Sequence, residues 1–360
     1  MYTFEITRTY LTDNEKAIFD DYLDYNGLDN SIWDVFSCLF RAGTQHTKPL
    51  LLKAYQSGEL FGAAIIIECT RYGKALFNNG FLSGIINFLN IPFYLWIKFG
   101  CCMDMMSNPG FVKDPGKANE VFQEMMAYLK KNSVLTIVND YTKNEKLYIN
   151  ASILPALPHA IINCSELASI QDYLLHYKNI KRKLRVFRNK GGEFNRVAHE
   201  LTKEQISSMK KCFLSTVAKS VFYLPYQDLY LSAALETSKT YIDNVYYFIA
   251  TINDELIGYQ AAILTGDHLN ALHGAFDRNL KSTNHAYDIL FVKMTEFAIE
   301  NRLKAIDFGA VLNETKRKMI NTSIDMSYFI LSKFPIVQWF FNELLKLTKV
   351  QGKQQLKYRN

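Results

Sequence analysis

Apolar and polar residues alternate through Met1-Tyr2-Thr3-Phe4-Glu5-Ile6-Thr7-Arg8, the period of a β-strand with one buried face. A longer pattern then occurs twice. Gly58-Glu59-Leu60-Phe61-Gly62 leads into an apolar run at 63–67, a polar turn and a further run at 74–81. Asp254-Glu255-Leu256-Ile257-Gly258 leads into runs at 259–264 and 268–276. Each predicts strand, tight turn, strand, turn, strand, with Gly, Asn and Asp supplying the turn conformations. After each meander, apolar residues take helical spacing: Val121, Phe122, Met125, Met126 and Leu129, then Leu290, Phe291, Met294, Phe297 and Ala298. A short apolar run follows each helix, at 134–138 and at 305–308.

Five elements repeated in one order predict a duplicated sheet. The expected fold class is α/β with a mixed (α+β) sheet in each of two tandem domains, 1–158 and 159–360, with Pro155 and Pro158 bracketing the linker. A chain of 360 residues also exceeds what one hydrophobic core usually fills.

The halves differ where the third strand meets the helix. The second uses a short loop, 278–286, whereas the first inserts 82–114. That insert is aromatic and apolar from Ile85 to Phe99, but Asn87, Asn90, Pro92 and Lys98 interrupt it short of the roughly 18 clean apolar residues a membrane span needs. It is expected to pack over a pocket or dip into a membrane surface.

A third pattern opens with Ser169-Ile170-Gln171-Asp172, an N-cap signature, and continues with Tyr173, Leu174, Tyr177, Ile180, Leu184 and Phe187 until Gly191-Gly192. One long amphipathic helix is expected. Its polar face carries Lys178, Lys181, Arg182, Lys183, Arg185, Arg188 and Lys190 with no intervening acid. Without these seven, 34 of the 41 Lys and Arg remain against 35 Asp and Glu, so the net charge of +6 resides in this one segment. A solvated helix face and a seat for an anion both fit: a nucleotide, a CoA diphosphate or a tRNA backbone.

Composition narrows the setting. Hydrophobic residues at 49% and charged residues at 21% exclude a disordered chain. The N-terminus lacks the layout of a signal peptide, and Cys38, Cys69, Cys101, Cys102, Cys164 and Cys212 show neither zinc-ligand spacing nor a disulfide framework. No metal is expected, and reduced thiols in a cytoplasm are.

The candidate chemistry lies in the second half. At 278–286 a strand runs into a helix N-terminus, where free N–H groups and the helix dipole can hold a phosphate and where Ser282, Thr283 and Asn284 suit the turn. Capping alone would also account for them. Asp307-Phe308-Gly309 ends a buried strand and leads to Lys316; strand-end charges face a cleft or make surface pairs. His273 lies on the strand that ends at Asp277, on the same face by alternation, and fits either a core histidine or a base. In the first half, Asn139-Asp140-Tyr141 has no counterpart of Gly309 and Lys316, so chemistry is expected in the second domain. An exposed lysine is expected at 316.

From Ser169 to Met319 the order of elements resembles the tandem N-acetyltransferase-fold (GNAT) proteins. The similarity is to the branch joining FemAB-type aminoacyltransferases and the BioF2-like acetyltransferase domain. It rests on the basic helix around Arg182, the meander up to Asp277, Ser282 before a helix, Asp307-Phe308-Gly309 and Lys316. The resemblance implies an N-acyltransferase that moves an acyl group from acyl-CoA to an amine, such as an amino sugar or other cell-envelope precursor. It further implies His273 or Asp277 as base, Lys316 with backbone N–H groups as anion stabiliser, Asp307 beside them, and Arg182 and Arg185 on donor phosphates. The stretch 278–286 departs from the Q/R-x-x-G-x-G/A loop in having no glycine, which keeps aminoacyl-tRNA or acyl carrier protein open as donor. Three functions therefore stand: the CoA-dependent enzyme, a tRNA-dependent FemAB-type aminoacyltransferase, and a catalytically idle binding module. A cytoplasmic location is expected, with peripheral contact at the inner membrane face as its variant.

Overall fold

In a computed structural model the doubled pattern becomes two mixed sheets. The structure describes residues 1–70, 88, 92–96, 110–142, 152–155, 158–176, 179–198, 201–218, 227–280, 283–310, 314–340 and 343.

The first half contains β1 (Tyr2–Thr7), α1 (Asp13–Ala17), α2 (Asp20–Tyr25), α3 (Ser31–Arg41), β2 (Thr47–Gln56), β3 (Glu59–Cys69), β4 (Phe93–Trp96), β5 (Phe111–Val112), α4 (Ala118–Asn132), β6 (Thr136–Thr142) and β7 (Ser152–Pro155). The second contains β8 (His159–Asn163), α5 (Ile170–His176), α6 (Ile180–Asn189), β9 (Gly192–Ala198), α7 (Lys203–Ala218), α8 (Gln227–Lys239), β10 (Val245–Ile252), β11 (Glu255–Thr265), β12 (His268–Phe276), α9 (Thr283–Glu300), β13 (Ala305–Ala310), α10 (Glu314–Lys318), β14 (Thr322–Ile324) and β15 (Met326–Leu331).

The duplication reaches into the hairpins. Both two-residue turns, Ser57-Gly58 between β2 and β3 and Asn253-Asp254 between β10 and β11, have positive φ at both positions, the geometry that matches strand twist. Each hairpin also carries an irregularity at the same place, after Ala54 opposite Gly62 and after Ala250 opposite Gly258. Both glycines lie under a close neighbour: a Cβ would stand 2.7 Å from the Val121 side chain at Gly62 and 2.7 Å from that of Phe276 at Gly258.

The sheets run β1-β2-β3-β4-β6-β15-β7, with β5 on β3, and β14-β8-β13-β12-β11-β10-β9. The chain changes sheets between Pro155 and His159. It then returns: β15, from the far end of the 159–360 region, fills the gap between β6 and β7. The first sheet thus takes its sixth strand in order from the second half of the chain.

Two expectations are corrected. The insert 82–114 is not only a covering segment, because β4 lies inside it, antiparallel to β3 and parallel to β6, with Phe93, Leu95 and Trp96 buried. The expected strand at 74–81 and most of the insert lie outside the described residues. The helix expected from Ser169 to Gly191 is two helices. Asn179 has φ +73, a left-handed conformation that asparagine tolerates but a right-handed helix cannot continue through. Ser169 and Asp172 cap α5 reciprocally, as the cap signature predicts.

One face of the second sheet packs against the first half. Trp33 and Phe36 of α3 belong to the same core as Met209, Tyr247, Tyr259 and Ile263. Asn244 Nδ2 donates to Asp29 Oδ2 at 2.7 Å across this join. The other face lies beneath α9, flanked by α5 and α6, with Phe248, Leu269, Leu290, Met294 and Phe187 in a second core. Among the described residues, no helix is long and apolar enough to cross a membrane.

Candidate active site

β12 and β13 are parallel neighbours, and the register His268↔Ala305, Leu269↔Ile306, Asn270↔Asp307 is where their pairing ends. β12 continues beside β11 to Phe276, while β13 leans towards β8, with an irregularity between Asp307 and Ala310 and Gly309 at φ +67. The two strands therefore part at their carboxyl ends, the place where open α/β sheets take ligands. Helix α9 begins a few residues past β12, so its N–H groups and positive dipole end lie at the end of that strand.

Charged side chains cluster at the parting. Asp307 is buried; its Oδ2 lies 3.1 Å from Nδ1 of the buried His159 on β8, and its Oδ1 accepts from the Gly309 N–H. Lys316 reaches back from α10 and donates to the Phe308 carbonyl and, at 3.3 Å, to the Gly309 carbonyl. It is buried rather than exposed as expected, because α10 folds over the irregular end of β13. Burial pushes its ammonium down to about 8, against the pull of Asp307 in the other direction. Asp307 and Lys316 are singled out in the sequence as strand-end charges, whereas His159 is not; its only local signal is a position at the start of a short apolar strand.

His273 and Asp277 occupy other surroundings. His273 sits past the parting, buried among Tyr230, Tyr247 and Tyr259 at ring-centroid distances of 6.4, 6.3 and 5.6 Å. Neither ring nitrogen has a hydrogen-bond partner among the described residues, and burial pushes the pKa down to about 3, so the ring is neutral at ordinary pH. Asp277 accepts from the Asn279 N–H at 2.9 Å and Ser215 Oγ at 3.3 Å, and Lys211 Nζ lies 3.6 Å away. Burial works to raise its pKa, but these bonds outweigh burial and hold the carboxyl below its usual range. It anchors α7 to the turn after β12.

Helix α6 packs along α9. Lys183 bonds to the buried Asp288, whose pKa burial still raises. One turn earlier, His285 is lowered first by burial and then, against the pull of Asp288, by the cations Lys183, Lys190 and Arg182. Arg182 thus contributes to a positive field at the start of α9, and Arg185 is exposed on the same helix. Thr283 is the first residue of α9 and Asn284 the second; Ser282 lies outside the described residues. A groove of about 330 Å³ between α6, β9 and α9 is lined by Leu184, Phe187, Arg188, Phe194, Ile289 and Lys293, among others.

Cys164 and Cys212 are buried, their thiols pushed up by burial to about 12, which leaves neither a ready nucleophile. Among the described residues no cluster of His, Cys, Asp and Glu could hold a metal ion.

The sequence profile of the acetyltransferase (GNAT) domain matches residues 176–317, the segment that contains the parting strands. No curated protein matches the chain by sequence. L-PGS from Bacillus licheniformis superposes with a TM-score of 0.56 at 11% identity, covering 94% of this chain and 98% of its own. A conserved protein of unknown function from Bacteroides thetaiotaomicron gives 0.54 at 11%, covering 92% and 100%. FemX gives 0.50 at 11%, covering 93% and 99%. At such identities these similarities establish the fold over nearly the whole length. Residues 176–317 are accordingly an acetyltransferase domain of the GNAT family, set in a chain that shares its overall fold with L-PGS and FemX.

Proposed function

We propose that the protein is an N-acyltransferase that takes its acyl group from a CoA-type thioester and delivers it to an amine. The observation that carries this is the parting of β12 and β13 after Asn270 and Asp307 inside the GNAT segment. A thioester arm laid between the freed strand edges can bond to backbone groups that no neighbouring strand uses. The donor phosphates then meet the N-terminus of α9 at Ser282, Thr283 and Asn284, with Arg182 and Arg185 supplying charge.

The acyl carbonyl falls near the end of β13. There Lys316, in its cationic form, offers N–H to the developing oxyanion, and Asp307 with His159 fixes the Gly309 turn that Lys316 grips. His273 is a weak base at a pKa of about 3, so its neutral ring serves better to accept a hydrogen bond from the acceptor amine than to keep its proton; the C–N bond forms as the C–S bond breaks, and the proton the amine loses ends on the departing CoA thiolate. The amine arrives from the side of the sheet that faces the first half.

The glycine-free turn at 278–286 favours a second reading, in which the donor is an aminoacyl-tRNA and the basic helix meets its backbone. Calorimetric titration with CoA, acetyl-CoA and aminoacyl-tRNA separates the two. Binding of CoA and acetyl-CoA with matching heats, together with turnover on amines, supports the first; binding of charged tRNA alone supports the second. If none of the three binds, the fold serves as an idle binding module.

A further inference from the structure

Three polar side chains cluster on the face of the second sheet that packs on the first half. Tyr247, Ala261 and His273 stand directly across from one another on β10, β11 and β12. Tyr259 lies two residues along β11 from Ala261 and so shares its face. Backbones two strands apart are about 10 Å from each other, yet the rings of Tyr247 and His273 approach to 6.3 Å, because Ala261 between them has only a methyl group. The Tyr259 ring is 5.6 Å from His273. All three side chains are buried, and Tyr247 Oη, Tyr259 Oη and both His273 ring nitrogens have no hydrogen-bond partner among the described residues. Buried polar groups are as a rule bonded, so four such atoms on neighbouring rings call for a ligand.

Tyr230 of α8 connects the cluster to solvent. Its ring stands edge-on to His273 at 6.4 Å and is 36% exposed. Its hydroxyl donates at 2.6 Å to the carbonyl of Leu272, the residue that the register skips between Ala261↔His273 and Ala262↔Ala271. A hydrogen bond to a strand irregularity thus holds the ring that touches both the imidazole and water. No ionised side chain among the described residues acts on the cluster. Burial alone lowers His273; burial first, then the thiols and phenols of Cys38, Cys212, Tyr230 and Tyr247, raise Tyr247 and Tyr259. A carboxylate or phosphate would find no cation here, and an ammonium would be driven towards its free base by the same burial that keeps His273 neutral. Hydroxyl groups and a neutral amine are what the cluster can bond.

Resting on the acyl-transfer reading above, we propose that the acceptor is a polyhydroxylated amine of the amino-sugar class, whose hydroxyl groups bond to Tyr247 and Tyr259 and whose amine meets His273 once Tyr230 swings aside. The full-length protein is titrated calorimetrically, with and without acetyl-CoA, with glucosamine and galactosamine, with cyclohexylamine as the ring without hydroxyls, and with glycine and spermidine as amines that bring a carboxylate or further cations. The amino sugars should bind at least about tenfold more tightly than the other three. In turnover with acetyl-CoA, Tyr247→Phe and Tyr259→Phe should each raise KM for the amino sugar about threefold to tenfold, the loss of one hydrogen bond, with kcat and KM for cyclohexylamine and acetyl-CoA unchanged. Neither variant should melt below the wild type, because the hydroxyl removed has no partner to lose, whereas a phenol with a structural role would lower melting and leave KM alone. Amino sugars that bind no more tightly than cyclohexylamine in either condition overturn the proposal, as does an equal rise of KM for both amines in the two variants. Selective binding of amino sugars by a protein that does not bind acetyl-CoA would support the acceptor site while removing the CoA-type donor.

Discussion

His159 and Asp307 are 148 positions apart in sequence, yet ring nitrogen and carboxylate stand 3.1 Å apart, both buried, where β8 meets β13. The carboxylate also holds the Gly309 N–H, and the two carbonyls just beyond it hold Lys316. One acid therefore braces a strand irregularity, a left-handed glycine and an amine. Asp307→Ala takes the carboxylate away from two buried groups, the His159 ring and the Gly309 N–H, and should cost about 3–5 kcal/mol, whereas His159→Gln, which can still donate, should cost about 1–2 kcal/mol. Urea unfolding of both variants checks the order; equal losses would mean that Asp307 matters only through His159.

Lys316 gives a pH dependence with a definite sign. Its folded pKa of about 8 lies below the unfolded value, so between the two the unfolded chain binds more protons and stability rises with pH. This contribution is lost as pH falls through the window from about 10.4 to about 8, and Lys316→Met should remove the slope there, up to about 3 kcal/mol in all. Turnover should move oppositely: if cationic Lys316 stabilises the oxyanion, kcat/KM falls above about pH 8, and Lys316→Met is slow at every pH without that limb. Stability measured from pH 7 to 10.5, with pH–rate profiles of both proteins, checks the two halves separately.

Turn and strand-end chemistry was legible in the sequence because it is local. Ser57-Gly58 and Asn253-Asp254 announce their hairpins by residue type alone, and Asp307 and Lys316 flank a strand end within ten positions of each other. β4 was not legible as a strand: Phe93, Leu95 and Trp96 are buried, and Tyr94 is half-buried, so the stretch lacks the polar alternation of a half-exposed strand. Asn179 was hidden for a different reason, since the apolar positions on both sides of it keep helical spacing while one backbone torsion breaks the helix. His159 and the return of β15 depend on contacts across more than a hundred residues, which no local pattern encodes.

His273 gives an acid-side dependence. Its folded pKa of about 3 lies below the ordinary value of 6.5, so its contribution is fully present above 6.5 and is lost as pH falls from there towards 3. His273→Phe keeps an aromatic ring among the three tyrosines but removes the titration, and should flatten part of the acid unfolding profile, by several kcal/mol at most. The same variant should raise KM for the amine several-fold with KM for the donor unchanged. An acid profile identical to the wild type would show that the ring does not titrate in the unfolded chain's favour. An unchanged amine KM would remove His273 from the acceptor site.

Arg182 and Arg185 separate a donor seat from a solvated face. Both are exposed on α6, so replacing them with glutamine removes charge without disturbing the Ile180 and Phe187 contacts that seat the helix, and melting should change by less than about 0.5 kcal/mol. Arg182 belongs to the positive field around His285 at the start of α9 and should matter more than Arg185 for a phosphate-bearing donor. A charge-assisted phosphate contact is worth about 1.5–3 kcal/mol, so Arg182→Gln should weaken acyl-CoA binding by roughly tenfold or more, and the double variant further. The slope of log affinity against log salt should become shallower in step, because fewer charges are neutralised on binding. Titration calorimetry at two salt concentrations reads affinity and slope together. If the double variant binds donor as tightly as the wild type with the same salt slope, the seven cations of this segment keep the chain soluble and the donor phosphates rest on the α9 N-terminus alone.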